Sequence, residues 1–396
     1  ANKISEEDDS LEKFEELLFD ACKLRLRSDV PLGTYLSGGL DSASIAAIIK
    51  KISKNNIQAF TVGFESKSYD ETKYAKMVSK YLDIDHALLN SKQFLSNELS
   101  KLVWYFDGPF ADTSIMPTYM LNNAAKKYAT VALSGDGADE MLAGYQTYLA
   151  DKYFRLYKNI PLAFQKKIYY FLKKIIKPSY RKVSVDYKLL QFLSSYGFSI
   201  EKAHYWWRVI FSNNEKKKIM SNDLLKQCGG YDPFDTFKDY FSKVPQSNFL
   251  DKTLFVDQKT WLQDNILVKV DRSSMANSME VRSPFLDHNL VEYVAQLQKK
   301  FKLEGGRQKM ILKSAMKPFL QQEIINRKKS GFNSPTNTIG ETQVKTKSPS
   351  NLFSNNFLLR GDREDITYKA FSFAVLGKWL DMHDNYLSTG RWEYQI

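Results

Sequence analysis

The sequence predicts an α/β fold, a buried parallel sheet followed by a largely helical region, and three observations carry this. Up to about Tyr145, short apolar runs alternate with amphipathic helical patterns. The runs are apolar throughout rather than alternately apolar and polar, and beyond Tyr145 the strand signal fades. Strand-helix alternation with fully apolar strands indicates βαβ units whose sheet is covered on both faces.

Leu11, Phe14, Leu17, Leu18, Ala21, Cys22 and Leu24 recur at helical spacing and predict a first helix to about Leu26. A strand Gly33–Leu36, a helix Ser42–Lys51 and a strand Ile57–Phe64 follow. A helix Asp70–Leu82, a short strand near His86–Leu89, a helix over 92–105, another from about Thr118 and a strand Thr130–Leu133 complete a core expected over residues 1–150. Residues 151–396 read as mainly helical, with breaks at Pro161, Pro178, Gly197, Gly229-Gly230, Pro245 and Pro284. The tract 333–351 is rich in Ser, Thr, Asn and Pro and reads as a mobile loop, after which helix resumes over 367–387.

At 396 residues the chain is long enough for two or three domains and for a sizeable core. It contains no apolar stretch long enough to span a membrane and opens without the apolar core of a signal peptide, so the sequence reads as cytoplasmic. The two cysteines, Cys22 and Cys228, exclude a disulfide scaffold and a cysteine zinc site. Cys22 lies on the apolar face of the first helix and reads as core. The four histidines stand in no acid-base arrangement and read as structural. The net charge of +12 is local: between Asp151 and Lys188 eleven basic residues face two acids. Interleaved with Tyr, Phe, Leu and Ile at helical spacing, they read first as a solvated face and second as a docking surface for an acidic protein, peptide or membrane. No recognition motif accompanies them, so nucleic acid is disfavoured.

The chemistry concentrates at strand ends. Ser37-Gly38-Gly39-Leu40-Asp41-Ser42 joins the first strand to its helix, where a glycine pair lets successive N–H groups turn outward and the helix N-terminus adds positive potential. Such a loop cradles phosphate, although it is neither a Walker A loop nor a dinucleotide fingerprint. Asp41 within it would repel polyphosphate unless a divalent cation lay between, which implies Mg²⁺. A second loop, Ser134-Gly135-Asp136-Gly137-Ala138-Asp139-Glu140, follows the strand ending at Leu133. Ligands of open parallel sheets bind at the carboxyl ends of strands, so both loops should face one crevice, with Asp139 as second metal carboxylate and Asp136 against the group being activated. Asp107 and Asp112, the charge-dense Lys269–His288 block, and Lys309 after the Gly305-Gly306 turn are expected at the same crevice. A lysine there suits charge developing on a phosphate.

These loops, the Lys269–His288 block, the Lys309 helix, Arg327-Lys-Lys-Ser-Gly331-Phe332-Asn-Ser-Pro335 and the lead-in Lys23–Pro31 together resemble, in order, the synthetase half of glutamine-dependent asparagine synthetases. The resemblance implies an adenine nucleotide alpha-hydrolase-like, ATP-pyrophosphatase (PP-loop) domain that binds ATP and Mg²⁺ and adenylates a carboxylate. Aspartate would be activated and ammonia would release asparagine, AMP and pyrophosphate. By motif matching, Ser37, Gly38, Gly39, Leu40, Asp41 and Ser42 hold the pyrophosphate; Leu36, Val62, Ser134 and Gly135 line the adenosine site; Asp41 and Asp139 hold the metal. Asp136 and Lys309 are the catalytic pair: Asp136 takes the family's acidic position, and Lys309 the lysine that stabilises charge on the transferring phosphorus.

The family also carries an amino-terminal glutaminase domain, and the sequence starting at Ala1 has none before the synthetase motifs, so ammonia is expected free, from a separate chain or from a removed segment. Two departures stand out: Asp107-Gly108-Pro109 where Asp-Glu-Pro is frequent, and Ala143-Gly144-Tyr145 where Gly-Gly-Tyr is frequent. They keep open a relative that closes a lactam or macrolactam in a small molecule or peptide, with a peptide or protein partner at 151–188, or one that amidates another carboxylate. A tRNA-modifying PP-loop enzyme has the poorest motif support.

Overall fold

The computed structural model describes residues 7–53, 56–64, 70–90, 96–176, 185–327, 331 and 364–389. The expected loop 333–351 lies outside the described residues, as do Lys177, Arg181 and Lys182 of the basic stretch.

Five parallel strands form the sheet: β1 (Leu32–Tyr35), β2 (Gln58–Gly63), β3 (His86–Asn90), β4 (Val131–Leu133) and β5 (Glu280–Arg282), in the order β3-β2-β1-β4-β5. The chain winds outward from β1 through β2 to β3 and then crosses to β4 on the other side. The reversal of strand order therefore falls between β1 and β4, where an open sheet leaves a crevice beyond its strand ends. Early helices are α1 (Glu7–Arg25), α2 (Leu40–Ile52), α3 (Thr72–Leu82), α4 (Ser96–Phe106), α5 (Ile115–Ala125), α6 (Ala138–Leu142), α7 (Gln146–Tyr157) and α8 (Leu162–Ile175).

The chain divides into two compact units, one of residues 1–93, 114–146 and 246–333, the other of 94–113, 147–245 and 334–396. The chain leaves the first unit at Phe94, re-enters it at Ser114, leaves again after Gln146 and returns at Gln246. β5 belongs to this return, in a stretch that the sequence pattern reads as helical. Three residues with the half-exposed sequence Glu-Val-Arg carry no apolar run, and β5 forms because its backbone completes the edge of β4.

The first unit is layered helix-sheet-helix. On one face Phe14, Leu18 and Cys22 of α1 pack with Ile45, Ile48 and Ile49 of α2 and with Leu312 and Met316. Burial pushes the Cys22 thiol up, so it is an inert core group. On the other face Phe60, Val62, Leu121, Ala125, Ala132 and Met279 pack together. The returning segment includes a helix Phe249–Asp257, a ten-residue π-helix Gln258–Leu267 and an α-helix Val268–Met275 that runs on without a break. The second unit is helical, with a core of Phe154, Tyr157, Leu193 and Ala203. There His204 Nδ1 stands 2.7 Å from Asp151 Oδ2, both buried, while Trp207 Nε1 donates to Asp151 Oδ1 at 2.7 Å.

Candidate active site

The loop after β1 is fixed by its glycines and serines. Gly38 has φ +70°, and a Cβ on it would lie 2.5 Å from the Tyr74 carbonyl carbon and 2.6 Å from the Ala75 nitrogen. Those are backbone atoms, so only glycine passes. Ser37 N–H donates to Ser42 Oγ at 3.1 Å, the two hydroxyls lie 3.0 Å apart, and Gly39 N–H donates to Ser37 Oγ at 3.3 Å. The loop is thereby stitched to the first turn of α2, whose amino terminus has no side-chain cap.

The loop after β4 lies directly against it. A Cβ on Gly135 would stand 2.9 Å from both Asp41 Cβ and Ser42 N, so the glycine permits the approach. Gly137 turns the chain at φ +88° into α6, which places Asp139 in its first turn. Ala143 then ends α6 in a left-handed conformation at φ 56°. Gly144 N–H donates to the Asp139 carbonyl at 2.9 Å, and Lys309 N–H to that of Leu142 at 3.2 Å.

Lys309 itself adopts φ 55° before the helix Met310–Ala315. Its Nζ stands 2.5 Å from Asp41 Oδ1 and 2.5 Å from Asp139 Oδ1, all three side chains at or below 11% exposure. Two acids and one lysine, contributed by three distant stretches of sequence, thus converge on one buried point. Gly144 closes the fourth side: a Cβ there would lie 1.9 Å from Asp139 Oδ1 and 2.1 Å from Lys309 Cε.

A cleft of about 160 Å³ opens over this group. Leu36, Ser37, Asp41, Ser42, Val62, Ser134, Gly135, Asp136 and Asp139 line it. Gly38 and Gly39 shape the loop beneath, whereas the Leu40 side chain is turned into the core. Asp107 and Asp112 fall in the second unit and are not among the lining residues.

Several residues in or beside the cleft were given no individual role in the sequence. Lys269 is 7% exposed, faces the cleft and has no ion-pair partner among the described residues. Arg327 donates to Glu71 Oε1 at 2.6 Å and to the Ser37 carbonyl at 3.3 Å, and its guanidinium lies 4.0 Å from the Tyr74 ring centroid. It therefore clamps the first loop from outside. Glu140 is buried beside Asp139, and burial, then that neighbouring charge, pushes its carboxyl up to about 7 even though Tyr145 Oη donates to it at 2.6 Å. Tyr35, raised by burial and then by Asp136, donates to Asn122 Oδ1 at 2.6 Å. The spacing Asp139-Glu140 and Tyr145 is visible in the sequence, but the depth of burial that makes Glu140 abnormal is not.

Among the described residues no cluster of three or more His, Cys, Asp or Glu could hold a metal unaided. Two carboxylates converging on a cation position suit Mg²⁺ of the kind held by one or two acids plus substrate phosphates.

A parallel sheet whose switch-point strands end in a Ser-Gly-Gly-Leu-Asp-Ser loop and an acidic glycine turn is of the PP-loop, ATP-pyrophosphatase type. The asparagine synthase family model matches residues 13–357, and the chain belongs to that family. It is 31% identical over 337 residues to asparagine synthetase [glutamine-hydrolyzing] 1 of Bacillus subtilis (strain 168), covering 84% of this chain and 50% of that protein. It is also 44% identical over 141 residues to a putative asparagine synthetase [glutamine-hydrolyzing] 2 of Methanocaldococcus jannaschii, covering 35% and 27%. A third relative, amidase chry2 of Gibberella zeae, is 26% identical over 365 residues, covering 85% and 54%. The chain spans about half the length of most of these relatives.

Proposed function

We propose that the chain is the synthetase part of an ATP-dependent, AMP-forming amide ligase, acting on aspartate and ammonia to give asparagine. The observation that carries this reading is Lys309 Nζ set between Asp41 and Asp139 at the carboxyl ends of β1 and β4.

In this reading Leu36, Val62, Ser134 and Gly135 hold the adenosine, and Ser37 to Ser42 hold the β- and γ-phosphates. Bound Mg²⁺, held by Asp41 and Asp139, would offset phosphate charge. A carboxylate oxygen of the substrate attacks the α-phosphorus as the bond to pyrophosphate breaks. Lys309 turns its ammonium toward the charge that develops there, an electrostatic role that requires no nucleophilic side chain. Asp136 stands beside the acyl adenylate. Ammonia then attacks the acyl carbon, the bond to AMP breaks, and the proton released from nitrogen passes to solvent. Lys269, buried and unpaired among the described residues, supplies a second positive charge at the cleft. Ammonia would come free or from a glutaminase domain or separate chain; the second source is in keeping with a relative named as glutamine-hydrolyzing.

The test is pyrophosphate release on mixing the chain with ATP, Mg²⁺, aspartate and ammonium. No aspartate-dependent release above background sinks the aspartate reading. The departure at Gly108 and the relative named as an amidase favour a second reading with the same activation and another carboxylate or amine. ATP consumption that ignores aspartate but responds to a different acid or peptide would establish it.

A further inference from the structure

We propose that the outer face of α8 is an interfacial anchor for an anionic lipid bilayer. Half of the large apolar side chains exposed among the described residues, nine of eighteen, fall between Tyr153 and Ile175. Such concentration marks an interaction surface, whereas scattered exposure is ordinary.

The geometry of α8 explains the pattern. Gln165, Tyr169, Leu172 and Ile176 face inward: Gln165 donates to the Ile160 carbonyl at 2.6 Å, and Tyr169 and Leu172 pack on the Phe154 and Tyr157 cluster. One position earlier in each case, about 100° around the helix, Phe164, Ile168, Phe171 and Ile175 form a stripe at 58, 36, 64 and 56% exposure. Lys167 and Lys174, three residues on from the two phenylalanines, rim the stripe. Lys167 Nζ lies 5.8 Å from the Phe164 ring centroid. With Lys166 and Lys173, α8 carries four lysines and no acid.

An acidic peptide would be satisfied by the lysines alone and would leave the aromatic stripe in water. A bilayer interface uses both, taking apolar side chains to the acyl boundary while lysine stems snorkel to headgroup phosphates. At fourteen residues the helix is about 21 Å long, too short to cross a hydrocarbon core of about 30 Å. Among the described residues no helix is long and apolar enough to span a membrane, so α8 would lie in the interface plane.

The experiment is co-sedimentation of the full chain with phosphatidylcholine vesicles, with and without one third phosphatidylglycerol. The expected result is binding to the anionic vesicles only, weakened by high salt. Phe164→Ser with Phe171→Ser should lower partitioning by about tenfold or more, Lys167→Glu with Lys174→Glu should also weaken it, and both pairs should leave the unfolding midpoint unchanged because these side chains are exposed. As a second measurement, Phe171→Trp should show blue-shifted emission quenched by brominated lipid. Failure of the wild type to bind anionic vesicles overturns the proposal. So does binding that survives loss of both phenylalanines and is competed by soluble polyglutamate, which would assign the surface to an acidic peptide.

Discussion

Replacing Gly144 with alanine tests the site geometry directly, because the atoms nearest the added methyl belong to Asp139 and Lys309. Its Cβ would stand 1.9 Å from Asp139 Oδ1, 2.1 Å from Lys309 Cε and 2.7 Å from Lys309 Nζ, whereas ordinary contact begins at 3.4 Å. The carboxylate and the lysine must separate from it by roughly 1 Å or more, and a misplacement of that size costs a reaction about 10²-fold, about 2.7 kcal/mol of barrier. The overlap involves side-chain ends rather than backbone, so the fold should survive at a cost of about 1–3 kcal/mol. Steady-state pyrophosphate release and thermal unfolding, measured together, separate the two effects. Ala143→Gly is the internal control: it relieves a left-handed alanine one residue away and should stabilise by about 1 kcal/mol with turnover intact. If Gly144→Ala turned over at about half the wild-type rate or better, the close packing of Gly144 on Asp139 and Lys309 would have no part in catalysis and the assignment of that pair would be refuted.

Lys309→Ala should lower kcat far more than it raises the KM for ATP, and should destabilise the ligand-free chain by about 3–5 kcal/mol because two buried carboxylates lose their cation; unchanged turnover would exclude the catalytic role. Asp41→Ala should abolish Mg²⁺-dependent pyrophosphate release while the circular dichroism spectrum stays native, and a variant that remains active counts against Asp41 as metal ligand. His86 contacts Thr61 Oγ1 at 2.7 Å and Ser79 Oγ at 3.1 Å, and burial, then Lys76, holds its imidazole below the usual histidine range. Below pH ~6.5 the unfolded chain takes up a proton that the folded chain resists, so this contribution is present above ~6.5 and is lost as pH falls toward the lowered value. The unfolding midpoint of the wild type should therefore drop more steeply between neutral and mildly acidic pH than that of His86→Gln, and parallel curves would contradict the shift.

The strand-end loops were legible because their chemistry is local: a glycine pair before a helix and an acid between glycines mean the same thing in sequence as in space. That both loops face one crevice was expected from the βαβ pattern, whereas the strand order that sets it between β1 and β4 was not legible. What could not be read is what depends on distant stretches meeting. β5 has no apolar signature and exists only as the edge partner of β4. Lys309 was read as a cation facing phosphate, and nothing in the sequence marked it as the buried counter-ion of two acids, since a separation of 268 positions from Asp41 carries no trace of the contact. Arg327 and Glu71 are ordinary surface residue types until they pair over the first loop.

The π-helix Gln258–Leu267 has a consequence for how this cleft tolerates length change. Its wider turns hold more residues per revolution than an α-helix, and it feeds without a cap into the turn that bears Lys269. The azimuth of Lys269 is thus set by the phase accumulated over those ten residues. Deleting one residue within the π-helix, with the winding otherwise kept, would swing every later side chain by roughly a quarter turn. Lys269 would leave the cleft and a neighbour would enter in its place, so a single-residue gap here would exchange which side chain faces the cleft without altering a single lining residue of β1, β2 or β4.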